Sequence, residues 1–218
     1  MAVHEITQGL RQWLRLSIGL IVFALGISLM VRAHLGLSPW DVLHQAINGH
    51  TPLTFGQVVI IVSVAAVALG WLLGVRPGPG TVANSILVGL VADLLLSWKL
   101  LGNLVQASMP ARLTSMVIGV AAIAFGTAIY VGAELGAGPR DGLMVGVARL
   151  AASSPGVARV AIEATVLIVG LLLGGTVGIG TIVFVLTIGP AINASFRIFG
   201  MEPPKRHRSG TSSGRKHL

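Results

Sequence analysis

Ala33-His34-Leu35-Gly36-Leu37-Ser38-Pro39-Trp40-Asp41-Val42-Leu43 returns a hundred residues later as Ala133-Glu134-Leu135-Gly136-Ala137-Gly138-Pro139-Arg140-Asp141-Gly142-Leu143, with six of the eleven positions identical. The correspondence continues at the same offset. Gly56 matches Gly156, and Gly70-Trp71-Leu72-Leu73-Gly74 matches Gly170-Leu171-Leu172-Leu173-Gly174. Gly78-x-Gly80-Thr81 matches Gly178-x-Gly180-Thr181, and Gly89 matches Gly189. Twenty identities fall between Ile18 and Gly89 without a gap, far more than chance allows. The 218 residues are a unit of about a hundred, written twice.

Composition says where such a unit resides. Only 10% of residues are charged, against about 25% in soluble domains. Apolar residues reach 54% and mean hydropathy is +0.87. A surface this poor in charge belongs in lipid. Stretches free of Asp, Glu, Lys and Arg run over 16–31, 51–75, 77–92, 113–133 and 164–196. The last is too long for one helix of about 20 residues, and Gly174-Gly175 with Gly178-Ile179-Gly180-Thr181 divide it. The expectation is an all-α polytopic membrane protein with six spans, near 14–33, 56–75, 81–100, 112–133, 157–175 and 181–199. Arg32 stands where a signal-peptide cleavage site would need small residues, so the first span is expected to stay as an anchor. The chain has no cysteine, which excludes disulfide scaffolds, cysteine-rich zinc modules, iron–sulfur clusters and thiol catalysis. No other cofactor or metal site is expected.

Each unit holds three spans, an odd number, so its second copy must enter the membrane from the opposite side. The expected organisation is a short N-terminal segment (1–12), repeat 1 (13–100), inverted repeat 2 (101–200) and a basic disordered tail (201–218). Charge fixes the orientation, because Lys and Arg collect on the cytoplasmic side. With the N-terminus inside, twelve of the fifteen basic residues are cytoplasmic, and only Arg32, Lys99 and Arg112 lie outside. The net charge of +8 thus reads as an orientation signal, with anionic lipid as partner of the tail and no nucleic acid. A homodimer is left open.

In Leu-Gly-x-x-Pro-x-Asp, Ser38 or Gly138 suits an N-cap, Pro39 or Pro139 position N1, and Asp41 or Asp141 the positive end of a helix. The apolar residues that follow are too few to span, so each repeat carries a short interfacial or re-entrant helix. Two readings stay open: capped helix starts, or a symmetry-related acid pair binding a cation or proton near the midplane. Gly-x-Gly-Thr opens the third span of each repeat as a tight turn capped by Thr81 or Thr181. Its Gly80 and Gly180 would let a neighbour or ligand approach. Asp93 lies mid-span with no charge at helical spacing, at a cost of roughly 2.5–3.5 kcal/mol, and so faces the bundle interior. Its mate is Asn193. The two read as a helix–helix hydrogen bond or as part of a polar pathway. Arg159 pairs with Glu163 one turn on. His34, His44 and His50 read as solvated loop histidines rather than metal ligands. No serine–histidine pairing or nucleophile elbow suggests an enzyme.

Leu35–Asp41, the Gly-Ala-Gly-Pro-Arg-Asp-Gly-Leu-Met of Gly136–Met144, and the Gly-Gly-x-x-Gly-x-Gly-Thr of Gly174–Thr181 together resemble the YczE/YyaS/YitT-like family of bacterial membrane proteins, closest to its YczE-type members. The likeness covers roughly residues 12–195. It implies a protein of the bacterial cytoplasmic membrane and supplies no substrate and no functional residues.

Inverted repeats recur in secondary transporters, with the site between the halves. The leading expectation is therefore a small-solute or ion permease or exporter, not an enzyme. Asp41, Asp141 and Asp93 would form its polar core, with Asn193, Gly80 and Gly180 beside them. The rival expectation is a non-transporting membrane scaffold or regulatory protein whose acids are only caps and packing bonds.

Overall fold

A computed structural model describes residues 2–98 and 104–201 of the chain. Lys99 and the basic tail beyond Met201 lie outside the described residues. Eight α-helices account for nearly all of it: α1 Ala2–Ala33, α2 Pro39–His50, α3 Phe55–Leu72, α4 Pro79–Ser97, α5 Met109–Val131, α6 Pro139–Leu150, α7 Pro155–Leu172 and α8 Ile179–Ile198. A 3-10 turn, Leu104–Gln106, precedes α5, and the described residues contain no strand. Six helices are long and apolar enough to cross a membrane: Ile6–Ala33 of α1, and α3, α4, α5, α7 and α8. Five match the expected spans within three residues, the first starts eight residues earlier than the expected 14, and α2 and α6 are the two expected short helices.

The bundle is organised on α1 and α5, which run antiparallel in close contact. A Cβ at Gly26 would lie 2.6 Å from the Gly119 carbonyl oxygen, and one at Gly119 would lie 2.9 Å from the Gly26 carbonyl oxygen. Small residues here let two backbones touch, which is how helices associate where lipid removes the hydrophobic drive. Each end of the pair is pinned by an arginine on the opposite backbone. Arg112 Nε and Nη2 donate to the carbonyls of Ala33 and His34, each at 2.9 Å, and Arg15 Nη1 donates to that of Gly132 at 3.1 Å.

Those pins set the depth of the two loops. Residues 15 to 33 of α1 span roughly 27 Å at 1.5 Å per residue, so the loops after Ala33 and after Gly132 leave from opposite ends of the bundle. Both take the same backbone. His34 (φ 48°) and Glu134 (φ 58°) are left-handed, and Gly36 (φ 114°) and Gly136 (φ 136°) occupy a region that glycine alone enters freely. Each loop then docks on the other half: Gly180 N–H donates to the Leu35 carbonyl at 2.7 Å, and Gly80 N–H to the Leu135 carbonyl at 2.8 Å. Thr81 Oγ1 donates to Ala137 O at 2.6 Å, while Thr181 Oγ1 accepts from Leu37 N–H at 3.1 Å. The caps of α4 and α8 are therefore Gly78 and Gly178. Thr81 and Thr181, expected as the caps, sit at N3: each Oγ1 accepts the N–H of its N-cap glycine, at 3.3 and 3.4 Å, and each also fastens the facing loop.

Beyond these exchanged contacts the halves differ. α3 and α4 pack tightly, with Thr54 Oγ1 donating to Asp93 and Gly56 N–H donating to Asp93 Oδ1 at 2.7 Å. A Cβ at either Gly56 or Gly89 would overlap the other's carbonyl oxygen. α7 and α8 make little contact with each other. Gly189 has no atom within 4 Å of where a Cβ would sit, and Gly156 meets only Ser154 Oγ at 3.9 Å.

Candidate functional site

The two docked loops bring the N-termini of α2 and α6 together. Ser38 caps α2: its Oγ accepts from Asp41 N–H at 3.2 Å and donates to Asp41 Oδ2 at 2.5 Å. Pro39 at N1 needs no N–H partner. Gly138 offers no side chain to α6, so Asp141 Oδ2 reaches back to accept the Gly138 N–H at 3.0 Å. Asp41, freed from that task, turns elsewhere. It is 2% exposed, accepts from His44 Nδ1 at 3.2 Å, and lies 4.0 Å from Arg140 Nη2 of the other half. The Arg140 guanidinium also stacks 4.8 Å above the centre of the Trp40 ring. Position 40 and position 140 are repeat mates, so the cation of one copy rests on the aromatic face of the other. Ser38→Ala should lower stability by about 1 kcal/mol, the usual worth of a cap, read as a lower unfolding midpoint in detergent.

This junction is the wall of a cavity of about 890 Å³. Every helix contributes to it. Phe23 and Tyr130 stand edge-on at 6.0 Å, Trp40 and Phe184 add aromatic faces, and Val59, Val88, Ile123 and Ile188 add aliphatic ones. Polar groups enter from Ser63, Asn84, Thr127 and Asn193. The charged lining is Glu134, Arg140, Asp141, Arg159 and Glu163. Arg159 and Glu163 neutralise each other at 2.9 Å, and Asp41 answers Arg140 from behind. Asp141 makes no ion pair within 4 Å among the described residues. The lining thus holds three acidic side chains against two basic ones, among mostly apolar and aromatic neighbours. It reaches toward the bundle end from which α1 starts, along α7 and α8, where Arg159 is half-exposed. At the other end Thr54 donates to Asp93 across α3 and α4 and Arg32 donates to the Leu96 carbonyl, and none of these residues lines the cavity.

The expected site residues fall into three groups. Asp141 and Asn193 line the cavity, and Asp41 lies immediately behind its wall. Asp93 is not among the lining residues; it ties α4 to the start of α3, one of the two roles left open for it. Gly80 and Gly180 lie off the cavity, pressed against Leu135 and Leu35. His44 corrects the reading of solvated histidines: it is 0% exposed and packs edge-on against Phe55 at 6.0 Å. Arg140 is the main omission. Its motif position was visible, but as a loop arginine it counted only toward orientation. Trp40, Tyr130 and Phe184 were not singled out either, because an aromatic in an apolar helix gives no sign of whether it faces lipid or a cavity. No cluster of three or more metal-ligating side chains occurs among the described residues.

A helical bundle with six long apolar helices and a cavity walled by all of them defines a multi-pass membrane protein. The particular lineage follows from comparison: residues 10–197 match the model described as "Family of unknown function (DUF6198)", and the chain belongs to that family. It is 36% identical over 192 residues to an uncharacterized protein of Haemophilus influenzae, covering 86% of each chain. It is 32% identical over 183 residues to the uncharacterized membrane protein YczE of Bacillus subtilis, covering 82% of each. To the uncharacterized protein YyaS of the same organism it is 27% identical over 195 residues, covering 88% of this chain and 96% of YyaS. The resemblance read from the motifs is thereby borne out. No solved structure matches.

Proposed function

We propose that the protein is a permease of the bacterial cytoplasmic membrane, built from two inverted-topology copies, that moves a small amphipathic solute carrying a positive charge. The observation that carries this reading is Asp141: a carboxylate without an ion pair, on the wall of an 890 Å³ cavity to which both copies contribute. A cationic group at Asp141 would balance the surplus charge, while Phe23, Tyr130 and Phe184 would receive the apolar body by area burial and by cation–π attraction. In this reading α2 and α6 are re-entrant. Their loops descend from opposite faces, and non-helical backbone at that depth is acceptable because protein and a wet cavity surround it. Both termini are cytoplasmic, by the arginine and lysine bias, and the cavity opens to the cytoplasm.

Thermal-shift screening of purified protein against organic cations, zwitterions and anions tests the assignment. Cationic amphiphiles are expected to raise the unfolding midpoint, with about 2.7 kcal/mol of stabilisation at a hundredfold excess over Kd. Asp141→Asn keeps an oxygen for the Gly138 N–H and should erase the shift while folding normally. Stabilisation by anions alone, or an unchanged shift in the Asn variant, would sink the assignment.

A further inference from the structure

We infer that Ser154, Gly156, Gly189 and Asn193 form a second gate, open in this structure, that closes in an alternate state as Thr54, Gly56, Gly89 and Asp93 are closed here. This deepens the permease reading and rests on it. The four closed-gate residues and the four open-gate residues are repeat mates at an offset of one hundred. Their chemistry is retained position by position: hydroxyl for hydroxyl, glycine for glycine twice, and an amide for the acid. In the closed gate the hydroxyl donates to the acid, the first N–H of the glycine pair donates to its Oδ1, and the glycines lie back to back. Asn193 has an Oδ1 that could accept the same two donors from Ser154 and Gly156.

The open gate contains glycines with no use in the state seen. Gly189 lies inside α8 with nothing within 4 Å of a Cβ position, and Gly156 lies in the first turn of α7 in similar space. A glycine inside a helix is destabilising relative to alanine. Gly56 and Gly89 offset that cost with a contact that no side chain would permit; Gly156 and Gly189 do so only if α7 and α8 meet in the same way. α8 also has the means to move. Pro190 follows Gly189 and interrupts the helix ladder, a natural bending point that α4, with Leu90, lacks. Closing the second gate while the first opens would turn the cavity from one face of the membrane to the other, the exchange that inverted repeats allow.

The chain has no cysteine, so two can be placed without background. Ser154→Cys/Asn193→Cys, carrying nitroxide labels in liposomes, should give two distance populations, the shorter one abolished by Gly189→Leu. Oxidation of the unlabelled pair with copper phenanthroline should form a disulfide, with the yield falling about tenfold or more in the Gly189→Leu background, as expected for overlap in a packed contact. Gly189 is exposed and nothing lies within 4 Å of a Cβ there, so the Leu variant is expected to fold as well as the parent. A single long distance, with no disulfide in protein of normal size-exclusion profile, overturns the gate. Solute flux measured on the same samples separates the two readings: flux with only the long distance removes the gate and leaves the permease. A short population without flux of any solute retains the gate and removes the permease.

Discussion

Arg140→Met is expected to destabilise the protein by about 3 kcal/mol, the lower end of the cost of leaving a buried charge without its partner. Asp41 is almost wholly buried, and once the guanidinium is gone its remaining partners are Ser38 and a His44 ring enclosed with it. The lower end applies because the pair is 4.0 Å apart and Arg140 keeps 23% of its side chain exposed. The double variant Asp41→Asn/Arg140→Met removes the stranded charge and should recover most of the loss. Unfolding midpoints of the two single variants and the double variant, closed as a cycle, check this. A neutral Arg140→Met would mean that the junction between the two short helices does not hold the halves together.

Gly26→Leu should be worse, at about 3 kcal/mol or more, the upper range of overpacking costs. A Cβ there meets the Gly119 carbonyl oxygen at 2.6 Å and the Ile123 backbone nitrogen at 2.8 Å. Backbone cannot yield as a flexible side chain does, so α1 and α5 must separate and both arginine pins at their ends must slacken. Gly49→Ala in α2 is the control. Nothing lies within 4 Å of that position, so alanine should be neutral or add a few tenths of a kcal/mol, up to about 1. Expression level and midpoint in detergent distinguish the two substitutions.

Span positions were legible because depth in lipid is written as hydropathy. The short helices were legible because Ser38, Pro39 and Asp41 each perform a distinct task at a helix start, and α2 begins at Pro39 with Ser38 as its cap. What hydropathy does not encode is which loops fold back into the bundle. Arg140 and His44 lie between spans and so read as aqueous, yet one stacks on Trp40 and the other is fully buried. Asp93 was legible only as a choice between two roles, of which the helix tie is the one seen. Its mid-span position marked it as inward-facing, but a carboxylate facing inward serves equally well as a helix tie, and the donors it meets at Thr54 and Gly56 are 39 and 37 residues away. The repeat offset held more than it first disclosed. Asp93 and Asn193 are mates by sequence, yet Asp93 is tied to Thr54 and Gly56 whereas Asn193 lines the cavity.

A cationic solute moved through the shared cavity would pass Asp141, and its transport would depend on that carboxylate. Uptake of the best-stabilising cation into proteoliposomes, compared between the parent protein and Asp141→Asn, tests it most directly. Saturable uptake is expected in the parent, with a loss of about a hundredfold in the Asn variant, the scale of losing a charge-assisted contact of roughly 2–3 kcal/mol. Equal uptake by the two proteins, or none above protein-free liposomes for any cation that stabilises the parent, would contradict it.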